Sequence, residues 1–83
     1  MPPPLLLGVY RAVVVETLDP QRRGRAQVQV PVLGVGLAVW APVLAGTPRA
    51  RRPKLLVGDF VYVMFEAGDP DVPVVIGAPA AIT

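Results

Sequence analysis

Two clusters carry the side chains that could do chemistry: the acids Asp59, Glu66, Asp69 and Asp71, and just ahead of them the cations Arg49, Arg51, Arg52 and Lys54. Carboxylates of the first set could supply oxygen ligands to Ca²⁺ or Mg²⁺. Their spacing matches no cation-binding loop, however, and Gly68-Asp69-Pro70 reads as a chain reversal, so turn-forming and solvated acids are expected. The basic set could meet nucleic acid, acidic lipid or an acidic protein, or stay solvated. With no histidine and no cysteine, the commonest general base, the commonest metal ligand and all thiolate chemistry are missing. The expectation is therefore no enzyme, no catalytic residues, no metal and no cofactor.

The elements that would hold these residues are strands. Eleven prolines and eight glycines in 83 residues disfavour long helices, and no segment carries a sustained apolar stripe at helical spacing. Gly58 to Gly77 reads as a hairpin: a run rich in Val, Phe and Tyr, an acidic Gly-Asp-Pro turn, then a second strand that runs to Gly77. Its first strand is apolar on both faces. At period two, Val61, Val63 and Phe65 point one way and Phe60, Tyr62 and Met64 the other, so something must cover the second face. Composition repeats the point. Hydrophobic residues make up 53% of the chain and charged ones 17%, against about 25% charged in an average soluble domain. That is more apolar surface than one small core can hide, which favours an obligate oligomer or a permanent assembly component.

Earlier in the chain, Gly8 to about Thr17 is expected as the first strand, ending at a loop in which Asp19 accepts backbone hydrogen bonds, Pro20 sets φ and Gly24 turns left-handed. Arg25 to Val30 alternates cleanly, with Ala26, Val28 and Val30 facing a core and Arg25, Gln27 and Gln29 facing outward. Leu37 to about Val43 forms the third strand, with Trp40 expected in the core or between subunits, and Leu44 to Val57 is a long irregular connection. Five short strands with one long connection predict an all-β fold, a small five-stranded Greek-key barrel of the OB type; an SH3-like barrel also fits. The expected organisation is an extended arm (1–7), the barrel (8–77) and a tail (78–83). The start, Met1-Pro2-Pro3-Pro4-Leu5-Leu6-Leu7, lacks a basic leader region and is too short for a membrane span, so neither a signal peptide nor a span is expected.

The order of motifs is specific. Tyr10 to Val15, Asp19-Pro20, Gly24-Arg25-Ala26 with Val28 and Val30-Pro31, Trp40-Ala41 with Val43, and Gly58-Asp59 through Phe65-Glu66, Gly68-Asp69-Pro70, Pro73-Val74 and Ile76-Gly77 together resemble one domain. It is the OB-fold domain of contractile-tail phage baseplate spike proteins, found also in the valine-glycine repeat spike proteins of type VI secretion. The resemblance implies a structural, threefold-symmetric part at the axis of a tail tip or injection machine, between a hub and a needle, assembled in the bacterial cytoplasm. Partners implied are two further copies, the hub and the needle proteins. The chain ends at Thr83, where larger members continue into a β-helix, so no needle is expected within it. Nor does it hold a lysozyme-like insertion or a carboxylate pair suited to peptidoglycan cleavage.

Candidate protein contacts, read from the residues and not from family motifs, are Leu5, Leu6, Leu7, Phe60, Tyr62 and Met64. Arg49, Arg51, Arg52 and Lys54 make the loop more basic than the family resemblance leads one to expect. Two other readings stand beside this one: a stand-alone OB or SH3-like module binding nucleic acid through that loop, and a spike adaptor that delivers toxins.

Overall fold

The computed structural model describes residues 5–50 and 54–79. Five strands follow one another: β1 (Tyr10–Glu16), β2 (Ala26–Gln29), β3 (Ala38–Ala41), β4 (Phe60–Phe65) and β5 (Pro73–Gly77). They form one antiparallel sheet in the order β3-β2-β1-β4-β5. The first three make a meander; the long connection then carries the chain to the other edge of β1. The two outer strands meet in a parallel bridge between Val43 and Val75. There the Val75 N–H donates to the Pro42 carbonyl at 2.9 Å and the Leu44 N–H to the Val75 carbonyl at 3.0 Å, which closes the sheet into the expected OB-type barrel.

Alternation fills the interior. Ala12 and Val14 of β1, Ala26 and Val28 of β2, Val30, Ala41, Val61, Val63, Phe65 and Val75 are buried in one cluster. Most are valine or alanine, small enough to pack inside a barrel of this size while β-branching at valine suits the pleated backbone. Phe65 is the large exception, and its ring meets Tyr10 edge-on at 5.7 Å between centroids.

Strand ends fall inside the expected bounds for physical reasons. At the end of β1 the Glu16 carboxylate folds back to accept the N–H groups of Thr17 (2.8 Å) and Leu18 (2.9 Å), withdrawing them from the ladder. A register shift between Val14 and Glu16 bulges the strand there. β3 stops at Ala41 because Pro42 has no N–H to give. Two single turns of 3-10 helix, Pro31–Leu33 and Glu66–Gly68, reverse the chain after β2 and β4. Strand polarity sorts the loops into two sets. Loop 17–25 and the described parts of the connection 42–59 lie at one end of the strands; the described part of the arm, loop 30–37 and turn 66–72 lie at the other.

Candidate protein-contact surface

β1 and β4 pair with Val13 opposite Phe60 and Arg11 opposite Tyr62. Since Ala12 and Val61, the pair between them, point into the core, both of these pairs stand on the outer face. Phe60 is 69% exposed and Met64 41%. Tyr62 is half-buried, and Ile76 of β5 is also exposed. The face that the alternation marked as needing a cover has none within the described chain. Beside it, Arg11, Phe60, Val61, Tyr62 and Pro79 line a shallow cleft of about 270 Å³.

The described part of the arm is tied to its own barrel. The Leu6 N–H donates to the Gly68 carbonyl at 2.8 Å, and the Tyr10 hydroxyl donates to the Leu7 carbonyl at 2.8 Å. Leu6 packs against the core while Leu5 and Leu7 remain exposed. The turn beneath is shaped for this contact. Gly68 has φ +74°, and a β-carbon there would lie 3.0 Å from Leu7 Cδ2 and 3.1 Å from Leu5 Cβ.

Loop 17–25 contains a cluster that sequence reasoning saw only in part. Asp19 does accept from the backbone, at Gln21 (2.9 Å), Arg23 (3.0 Å) and Arg25 (3.3 Å), and Gly24 is left-handed at φ 69°. Beyond that, the Arg25 guanidinium grips both carboxylate oxygens, Nε to Oδ2 and Nη2 to Oδ1, each at 2.9 Å. The Asp19 side chain is only 3% exposed. The Arg25 guanidinium, and then the three backbone N–H groups, hold its carboxyl far below the usual range against the opposing effect of burial, and Asp19 in turn raises Arg25. The guanidinium also lies 5.4 Å from the centre of the Trp40 ring. Trp40 thus sits outside the core: its register partner is Gln27, on the outward face, and Ala41 opposite Ala26 takes the inward place. An Asp six residues before an Arg across a glycine loop was the available signal, but the fork needs the loop geometry to be seen.

Arg49 and Lys54 are exposed; Arg51 and Arg52 lie outside the described residues. The structure does not gather the four acids into one place. Asp59 accepts the Leu56 N–H at 2.8 Å at one end of the strands, whereas Asp69 accepts the Asp71 N–H at 2.9 Å in turn 66–72 at the other. Among the described residues no group of three or more metal-binding side chains comes together.

A closed five-strand barrel with loops at both ends and an uncovered aromatic strip on its wall defines an OB-fold module. Residues 10–79, which include every strand, match the type VI secretion system/phage-baseplate injector OB domain, and the chain belongs to that family. Among curated proteins none matches it. Family membership gives the chain a structural role in an injector baseplate, in assembly with other baseplate proteins. No helix among the described residues is long and apolar enough to cross a membrane.

Proposed function

We propose that this protein is a non-enzymatic, homotrimeric OB-fold component at the axis of a phage tail or related contractile injector, joining a hub on one side to a needle on the other. The observation that carries the reading is the uncovered wall of β4: Phe60 is 69% exposed beside Tyr62 and Met64, on a strand whose opposite face is core. A stable protein that keeps such a strip in water invites aggregation unless a neighbour covers it. A ring of three needs two different patches per copy, since threefold interfaces are heterologous. The β4 strip is one patch, carrying Phe60, Tyr62 and Met64. Leu5 and Leu7 face the hub, with Leu6 locking the arm that presents them.

Absolute mass across a concentration series, from light scattering coupled to size exclusion, tests this directly. Three times the protomer mass is expected, and Phe60→Glu should bring it down to one protomer with the fold intact. A wild-type monomer that also fails to trimerise with hub protein present would reject the proposal.

A further inference from the structure

Between loop 17–25 and the connection after β3 lies a groove of about 350 Å³, lined by Thr17, Arg23, Gly24, Arg25, Ala26, Pro42, Val43, Ala45, Lys54 and Leu55. Its size falls at the small end of the roughly 300–1,000 Å³ typical of ligand clefts. Three cations border it, and they are not equivalent. Arg25 is neutralised by the buried Asp19 carboxylate, whereas Arg23 and Lys54 have no carboxylate partner among the described residues. The remaining wall, Ala26, Pro42, Val43, Ala45 and Leu55, is apolar.

We infer that this groove receives an acidic, extended segment of a partner protein: carboxylates against Arg23 and Lys54, and an intervening apolar side chain against Pro42, Val43 and Leu55. Two features favour a peptide over a nucleic acid. The neighbouring aromatic, Trp40, has the Arg25 guanidinium over its ring, so that face is not offered to a base. Two unpaired cations over an apolar floor suit alternating acidic and apolar side chains better than a continuous phosphate backbone. The cations are also segregated along the barrel. Arg22, Arg23, Arg49 and Lys54 stand at the groove end, where Glu16, Asp19 and Asp59 are turned to local backbone N–H groups. The turn at the far end carries exposed Glu66, Asp69 and Asp71 and no cation, so an acidic segment is favoured at the groove end. The inference deepens the baseplate reading, on which it rests, by giving the chemistry of one partner.

The test is a titration of the isotope-labelled protein, followed by its amide resonances, with a short peptide alternating glutamate and leucine and, separately, with oligothymidylate of equal length. Peptide should shift the amides of Thr17, Gly24, Ala26, Val43, Ala45 and Leu55. The double variant Arg23→Glu/Lys54→Glu, its spectrum otherwise that of the wild type, should weaken binding by about tenfold or more, and added salt should weaken it too. Arg49→Glu, outside the groove, should leave it unchanged. Absence of shifts at the groove, unchanged affinity in the double variant, or tighter binding of oligothymidylate would overturn the inference. So would concentration-dependent self-association abolished by Asp69→Asn/Asp71→Asn, which would assign the groove to a second copy. The mass of the same samples is read independently, so a trimer that ignores the peptide rejects the groove and leaves the axial role standing.

Discussion

Asp19 concentrates more polar contact than any other residue described: three backbone N–H groups and a two-pronged guanidinium converge on a carboxylate that is 3% exposed. Its folded-state carboxyl titrates far below the ordinary aspartate value of 3.8, so the unfolded chain takes up a proton first as pH falls. The stabilisation is therefore complete above about pH 5 and is lost progressively as pH falls below it. Glu16 acts in the same sense, held down by the Leu18 and Thr17 N–H groups. A urea series between about pH 5 and pH 2 should show a falling midpoint, and Asp19→Asn should lower the midpoint at neutral pH while flattening that dependence. At the core the argument is packing alone. Val63 is fully buried, and Val63→Ala should destabilise by about 2–3 kcal/mol in equilibrium unfolding, through lost burial and the cavity left behind.

Among the elements, turn 66–68 and the arm form one unit. Gly68→Ala would place a β-carbon against Leu5 and Leu7 in a backbone conformation that side chains disfavour. A loss of about 1–3 kcal/mol is expected, with faster exchange of the Leu6 amide as the arm lifts from the Gly68 carbonyl. Barrel closure is equally local, because the parallel join of the outer strands rests on the hydrogen bonds at Val75. Leu44→Pro removes the donor to the Val75 carbonyl and should cost about 1 kcal/mol, with increased exchange at Val75.

For the whole molecule, the wall strip and the two ends divide the labour proposed above. The β4 strip meets neighbouring copies, the apolar arm end meets the hub, and the basic groove takes an acidic segment at the other end. These surfaces are separable by mutation. Phe60→Glu should abolish trimer mass without changing peptide shifts at the groove, and Arg23→Glu/Lys54→Glu should do the reverse. Coincident loss of both in either variant, with the fold retained, would show that the surfaces are one.

Period-two alternation and turn chemistry carried the five strands, the inward set Ala26, Val28 and Val30 and the split of β4 into a Val61–Val63–Phe65 face and a Phe60–Tyr62–Met64 face, because side chains alternate along a strand as a local property of the backbone. Which face of β1, β3 and β5 is core, and that the Phe60 face is left open, came from the barrel. The order of motifs from Tyr10 to Gly77 carried the family, whose match covers residues 10–79. Strand ends, the Asp19–Arg25–Trp40 stack, the outward place of Trp40 and the groove beneath Arg23 and Lys54 were decided by tertiary structure. Each depends on strand register and on how two distant loops approach, and a loop such as 42–59 has no periodicity from which its course can be read.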